Sequence, residues 1–330
     1  MENIKFKENF NNCRTSIYKP ETRQFLLSRI AGSEQETDMS VPSNCDGFGR
    51  IHHFRRNVDK WVQDPLPNDP VCKALEIPYT DVLEAQVFQI ASCNAHCWYC
   101  FVPDELKRGK MVNAKWLTAE QMVELYKKSD TDIRVIDLSG GNPELAPEWT
   151  LDTMKTLERN ELQNKVYLWT DDTLTTDYAF EYLSKEELSY MASYRNFGKV
   201  GCFKGFDAHS FAFNSKLPEN MYEKQFERFE RYVDMGLDIY GYVTLTSDNY
   251  DGIEEKMGKF VDRLQKIHPI LPLRTVPLKI FIFTPTGSRL NDRYSMALEN
   301  QTRAIKAWKV ELSKRYSKEQ LAGRISDNTY

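Results

Sequence analysis

From about Leu83 onward, short apolar runs alternate with amphipathic stretches, and this alternation constrains the fold more than any other feature of the chain. The runs Leu83–Ala91, Ile133–Leu138, Lys165–Trp169, Lys199–Phe203, Asp238–Thr244 and Leu278–Phe283 read as strands. Helical patterns lie between them. Leu117–Lys128 opens with Thr118 and has Gln121 three residues later, the spacing of a capping box. Pro147–Arg159, Ser184–Tyr194, Met221–Met235, Gly252–Ile267 and Ala297–Arg315 follow, and Phe226, Phe229 and Val233 share one helical face. Strands joined through helices run parallel with right-handed crossovers, so the fold class is α/β. Periodicity leaves two closures open, a doubly wound sheet or a partial barrel of βα units.

Residues 1–82 lack such a pattern and carry Pro20, Pro42, Pro65, Pro67, Pro70 and Pro78. Having no periodic core of their own, they are expected to fold by packing on the strands that follow. The expected organisation is thus an irregular N-terminal extension over 1–82, a core over 83–290 and a C-terminal helical segment over 291–330. The loop Cys45–Arg56, the densest polar group outside the core, is expected to lie over its mouth as a cap. There Arg50 and Arg55 would contact an anion, and Cys45 is a candidate catalytic residue relaying a hydrogen atom. A loop that only covers apolar surface is the plain alternative.

Bulk composition narrows the classes of function. Net charge is −4, so nothing in the bulk favours a nucleic-acid partner. No apolar run approaches the roughly 18 residues of a membrane span, and the first residues lack the apolar stretch of a signal peptide. A cytoplasmic location is expected. The seven cysteines are an odd number in a large chain, which argues against a disulfide framework.

Three of those cysteines crowd into Cys93-Asn94-Ala95-His96-Cys97-Trp98-Tyr99-Cys100, directly after the first strand. Thiolates are the usual ligands of iron–sulfur clusters, and three of them leave one iron of a four-iron cluster open to an exogenous chelator. A Cys₃His zinc site including His96 and a plain buried cysteine-rich loop are the other readings.

This spacing, Cys-x₃-Cys-x₂-Cys with aromatic Tyr99 before the last cysteine, resembles the signature of the radical S-adenosylmethionine (SAM) superfamily. The resemblance implies a partial (β/α)₆ TIM-like barrel and a [4Fe–4S] cluster on Cys93, Cys97 and Cys100. It implies SAM as the second cofactor, chelating the open iron and reductively cleaved to a 5′-deoxyadenosyl radical that abstracts a substrate hydrogen. The family binds the SAM amino group with Gly-Gly-Glu-Pro at the end of the second strand. Here that place holds Ser139-Gly140-Gly141-Asn142-Pro143, with an uncharged Asn142 in the acidic position. The same implication reaches Asp171 or Asp172 at the third strand end, Lys204 at the fourth and Thr244 on the fifth. Read without the family, these are a turn, a helix cap, an exposed lysine and a core strand.

The C-terminal half holds only Cys202, so no cysteine-rich auxiliary-cluster extension is expected. The expected partners are a small-molecule or peptide substrate and a reductant such as flavodoxin or ferredoxin. The reading from a different class is an iron–sulfur or zinc module that binds or regulates without turnover.

Overall fold

In the computed structural model, which describes residues 2–59, 63–129 and 131–330, the apolar runs pair into one large sheet. Residues 1 and 60–62 of the expected N-terminal extension, and residue 130, lie outside the described residues. The strands in chain order are β1 (Tyr18–Lys19), β2 (Gln24–Ser28), β3 (Gly49–Arg55), β4 (Val82–Gln89), β5 (Ala114–Leu117), β6 (Val135–Ser139), β7 (Tyr167–Asp172), β8 (Phe197–Phe203), β9 (Ile239–Thr244) and β10 (Thr275–Leu278). The large sheet has seven strands in the order β10-β9-β8-β7-β6-β4-β3, and a small sheet of three strands has the order β1-β2-β5. From β4 to β10 the neighbours are parallel, whereas β3 runs antiparallel to β4.

Packing shows how the sheet closes. Leu83 and Ala85 of β4 share one buried cluster with Val135, Tyr167, Trp169, Val200, Tyr240, Tyr242 and Val276, drawn from every other parallel strand. The Tyr242 hydroxyl of β9 donates to Asp64, whose own N–H reaches the Arg56 carbonyl just after β3, so strands near opposite edges of the sheet are drawn together and the sheet is curled into a partial barrel with these side chains inside. Alternate residues point outward, because successive strand side chains take opposite faces. Ile136, Leu138, Leu168, Phe203, Ile239 and Val243 lie in a second cluster with helix residues Trp149, Leu157, Phe226, Phe229, Phe260 and Trp308. Phe203, fully buried, meets Phe226 at 5.1 Å and Phe229 at 5.3 Å between ring centroids. Truncating such a residue to Ala costs about 3–5 kcal/mol.

The helices form where their patterns place them, including Ala119–Lys128, Glu148–Arg159, Lys185–Ser193, Tyr222–Asp234, Ile253–Ile267 and Asp292–Arg315. The first of these carries the full Thr118–Gln121 capping box, with Oγ1 of Thr118 accepting from the Gln121 N–H at 3.2 Å. Among the described residues no helix is long and apolar enough to cross a membrane.

Two elements differ from expectation. The last strand is Thr275–Leu278 rather than Leu278–Phe283, and the apolar run beyond it leaves Phe281, Ile282 and Phe283 exposed. The N-terminal extension is less irregular than its sequence suggests. It supplies β3, which pairs with β4 along its whole length, so residues 49–55 belong to the barrel wall rather than to a cap.

Candidate functional site

The cysteine loop leaves β4 at the C-terminal edge of the barrel, where parallel barrels place their sites. Its backbone is fixed from several sides. Trp98 is buried, donates from Nε1 to Oδ1 of Asn214 at 2.9 Å, and stacks on Tyr294 at 4.5 Å between centroids. The His96 N–H donates to the Ser215 carbonyl at 2.9 Å, and Nη1 of Arg289 donates to the Cys100 carbonyl at 2.6 Å. Anchoring the loop at these points leaves Cys93, Cys97 and Cys100 as free, half-buried thiols.

Charge around the thiols is arranged for anions. Burial pushes the Cys93 thiol up to about 12, and the Cys97 and Cys100 sulfurs add to that. Two buried lysines oppose them. Burial alone would depress Lys204, but Tyr99, Cys202, Cys97 and Cys93 together hold its pKa well above the ordinary value. Lys107 behaves the same way toward Cys100 and Cys93, and its Nζ lies 3.2 Å from Asp104. Three cysteine sulfurs beside two cations are the donor set an iron–sulfur cluster requires, because the sulfurs give up their protons on metal binding and the lysines offset the charge that results. His96, which a Cys₃His zinc site would need, is exposed. Among the described residues no three His, Cys, Asp or Glu side chains converge as one metal ion requires. Cluster thiolates each meet a different iron and need not converge.

The glycine-rich turn after β6 packs directly under this loop. Gly140 and Gly141 have φ of 61° and 60°, a conformation that favours glycine. A Cβ on Gly141 would run into the carbonyl oxygens of Ile90 and Ser92, so its first role is close approach to the cysteine loop itself. Asn142 is fully buried and engaged: its N–H donates to the Ser92 carbonyl at 2.8 Å, its Nδ2 to Oδ1 of Asn94 at 2.8 Å, and its Oδ1 accepts from the Glu144 N–H at 3.3 Å. Pro143 begins the short 3₁₀ turn that follows. Asn142 therefore locks the turn to the loop.

The two aspartates of β7 separate by face. Asp171 points inward and accepts from Oγ of Ser139 at 2.7 Å. Asp172 points outward, where Oδ1 accepts from the Leu174 N–H at 2.6 Å and Oδ2 lies 3.7 Å from Nζ of Lys199. It belongs with Glu144, Lys199 and Tyr232 in a buried network between sheet and helices, which takes it out of the expected cofactor set. Thr244, at the end of β9, donates from Oγ1 to the Tyr99 hydroxyl at 2.9 Å.

Three further expectations are corrected. Cys45 is buried with Phe48 in the cluster between sheet and helices, beside Ser129, and burial pushes its thiol up to about 12. Facing away from the barrel interior, it has no path for relaying a hydrogen atom. Arg55 is exposed and pairs with Val82 at the start of β4, at the opposite end of the barrel from the mouth. Arg50 does face the site, but from within the wall, with its guanidinium 5.4 Å from the Phe101 ring. One neighbour that spacing could not reveal is Cys13, whose Sγ lies 4.0 Å from the Cys93 carbonyl.

The sequence model of the Radical SAM superfamily matches residues 89–259, just over half of the chain and the stretch that carries the cysteine loop and the strands through β9. The chain belongs to the radical SAM superfamily. Members of this superfamily use a [4Fe–4S] cluster and SAM, and the thiols and lysines described above fit the cluster. Solved structures with similarity to this radical SAM chain include SuiB of Streptococcus suis bound to S-adenosylmethionine, at 12% identity and a TM-score of 0.47 over 70% of this chain and 48% of that one. Another is anSMEcpe with bound AdoMet and the Kp18Cys peptide, at 16% identity and a TM-score of 0.42 over 60% of this chain and 51% of that one. The chain thus spans about half the length of the structures it matches. No curated protein matches it in sequence.

Proposed function

We propose that this protein is an enzyme that reductively cleaves SAM and removes a hydrogen atom from a small-molecule or peptide substrate. The observation that carries the reading is the group of three free, half-buried thiols on one loop at the C-terminal edge of a barrel that the superfamily match spans. Cys93, Cys97 and Cys100 would hold the cluster. When bound, the cluster and SAM supply a 5′-deoxyadenosyl radical able to abstract hydrogen.

The remaining roles belong to side chains around the mouth. Lys204 is a buried cation that would offset the SAM carboxylate. Asp171, oriented by Ser139, would accept from ribose hydroxyls. Tyr99 and Thr244 hold the loop against the opposite wall and so keep water from the mouth. Gly140, Gly141 and Asn142 would fix the loop that presents the cofactor. A cavity of about 300 Å³ beside Cys97, rimmed by Lys107, Lys216 and Arg289, suits the approach of an acidic electron donor such as a flavodoxin or ferredoxin. Residues 83–290 form the core in this reading, with β3 of the N-terminal segment as part of its wall.

The test is anaerobic reconstitution, dithionite reduction and quantification of 5′-deoxyadenosine. Wild-type protein should release it slowly even without substrate. A stoichiometric zinc protein with no SAM turnover would instead establish a binding module.

A further inference from the structure

We infer that Arg50 and Asp137 form a substrate site inside the barrel for the carboxylate and ammonium of an α-amino acid with an apolar side chain. The inference gives a substrate class to the activity proposed above and rests on that reading for the reaction, though not for the binding.

Arg50 and Asp137 flank Val87 in one row across three neighbouring strands, β3, β4 and β6. Alternation turns both side chains inward: Asp137 follows Val135 by two residues, and Val135 lies in the interior cluster against which Phe54 of β3 also packs. The row lies two residues below Gln89 and Ser139, the last residues of their strands, or about 7 Å at about 3.3 Å per residue. It is therefore deeper than the strand ends where the cofactors would sit.

Both groups are ionisable and buried, with exposures of 7% for Arg50 and 3% for Asp137. Neither side chain makes a hydrogen bond or an ion pair with a described residue, and Nε of Arg50 and Oδ1 of Asp137 are buried with no partner at all. Asp171 nearby has only the Ser139 hydroxyl. Burial raises the pKa of Asp137, the Asp171 charge raises it further, and Arg50 opposes both. Buried ionisable groups are normally paired, so an arginine and a carboxyl that face the same barrel interior without bonding each other call for a third party. An anion alone would satisfy Arg50 and leave Asp137 bare. A cation alone would satisfy Asp137 and leave Arg50 bare. A ligand carrying one charge of each sign satisfies both.

The side chains between Arg50 and the surface are aromatic. The Arg50 guanidinium lies 5.4 Å from the Phe101 ring, Phe101 is 6.1 Å from Phe283, and Phe283 is 6.2 Å from Phe281, where Phe281, Ile282 and Phe283 reach the surface. Such rings suit packing against an apolar side chain that trails behind the head group.

The experiment is calorimetric titration of the full chain, reconstituted and SAM-loaded, with L-phenylalanine and L-leucine and with their amides and N-acetyl derivatives. At least one free amino acid should bind, and each blocked derivative should bind about tenfold more weakly, as expected for loss of one charge-assisted contact. Arg50→Gln should remove the preference for the free carboxylate, and Asp137→Asn the preference for the free ammonium. Circular dichroism and cluster absorbance check that the variants are folded and loaded. If they are not, the wild-type preference over both derivatives decides by itself. The inference is overturned if neither amino acid binds at millimolar concentration, if blocked and free forms bind alike, or if binding occurs only without SAM, which would give the pair to the cofactor. Preserved discrimination without SAM cleavage would refute the proposed activity and leave this site standing; cleavage without amino-acid binding would do the reverse.

Discussion

Thr244, at the end of β9, donates a hydrogen bond to the hydroxyl of Tyr99, 145 residues earlier in the chain, at 2.9 Å. This contact ties the cysteine loop to the far wall of the barrel. Thr244→Val keeps the shape and removes the donor, so apo-protein stability should fall by about 1 kcal/mol in chemical denaturation. Tyr99→Phe should cost a similar amount, and the double variant should cost less than the sum, as a double-mutant cycle would show for one shared bond. Strict additivity would mean that the bond contributes nothing.

Gly141 and Gly236 both have positive φ, at 60° and 76°, yet their surroundings differ. Nothing lies near a Cβ on Gly236, so Gly236→Ala should cost about 1–2 kcal/mol for the backbone alone and leave iron content unchanged. At Gly141 the added carbon meets the Ile90 and Ser92 carbonyls, so Gly141→Ala must displace the cysteine loop. Iron bound after reconstitution, measured alongside SAM cleavage, should fall in this variant.

The Lys199–Glu144 pair is buried between sheet and helices, and removing one partner strands the other. Lys199→Met should cost about 3–5 kcal/mol because it strands Glu144 and Asp172 together, and adding Glu144→Leu and Asp172→Asn should recover most of it. Denaturation midpoints of the three proteins decide the matter. A combined variant no more stable than the single would show that packing, not charge, dominates.

How much of this was legible in the sequence depends on which face each residue serves. β4 and β6 to β9 were legible because their outward residues are apolar and their helices follow at regular intervals. β3 was missed because its inward residues, Arg50 and His52, are polar: a strand that lines a site inverts the usual pattern. The run Ile280–Phe283 misled in the opposite direction, as apolar residues with β propensity that form no strand beyond β10, where Phe281, Ile282 and Phe283 are exposed. At the site, the cysteine spacing was legible on its own. The choice between Asp171 and Asp172 was not, because strand register decides it. Asp137 could have been found, since Val135, Asp137 and Ser139 alternate onto one face. Its pairing with Arg50 is a tertiary fact with no sequence signal.

Asp64 links stability to pH. Burial pushes its carboxyl up to about 7, against the hydrogen bonds it accepts from the Leu66 N–H and the Tyr242 hydroxyl. A folded value above the unfolded one means that the folded state holds the proton more tightly. The stabilisation is complete below the unfolded pKa of about 3.9 and is lost as pH rises toward about 7. Asp64→Asn should flatten the stability profile over that window. A variant whose profile matches the wild type would show that Asp64 is not the group responsible.

The central claim is that Cys93, Cys97 and Cys100 hold a cluster that cleaves SAM. The most direct measurement pairs iron and sulfide content with 5′-deoxyadenosine release, under dithionite, for anaerobically reconstituted wild type and Cys97→Ala. The account predicts about four irons per chain and steady 5′-deoxyadenosine release for the wild type, with both lost in the variant. Release that persists in Cys97→Ala, or a wild type that holds zinc and releases none, would contradict it.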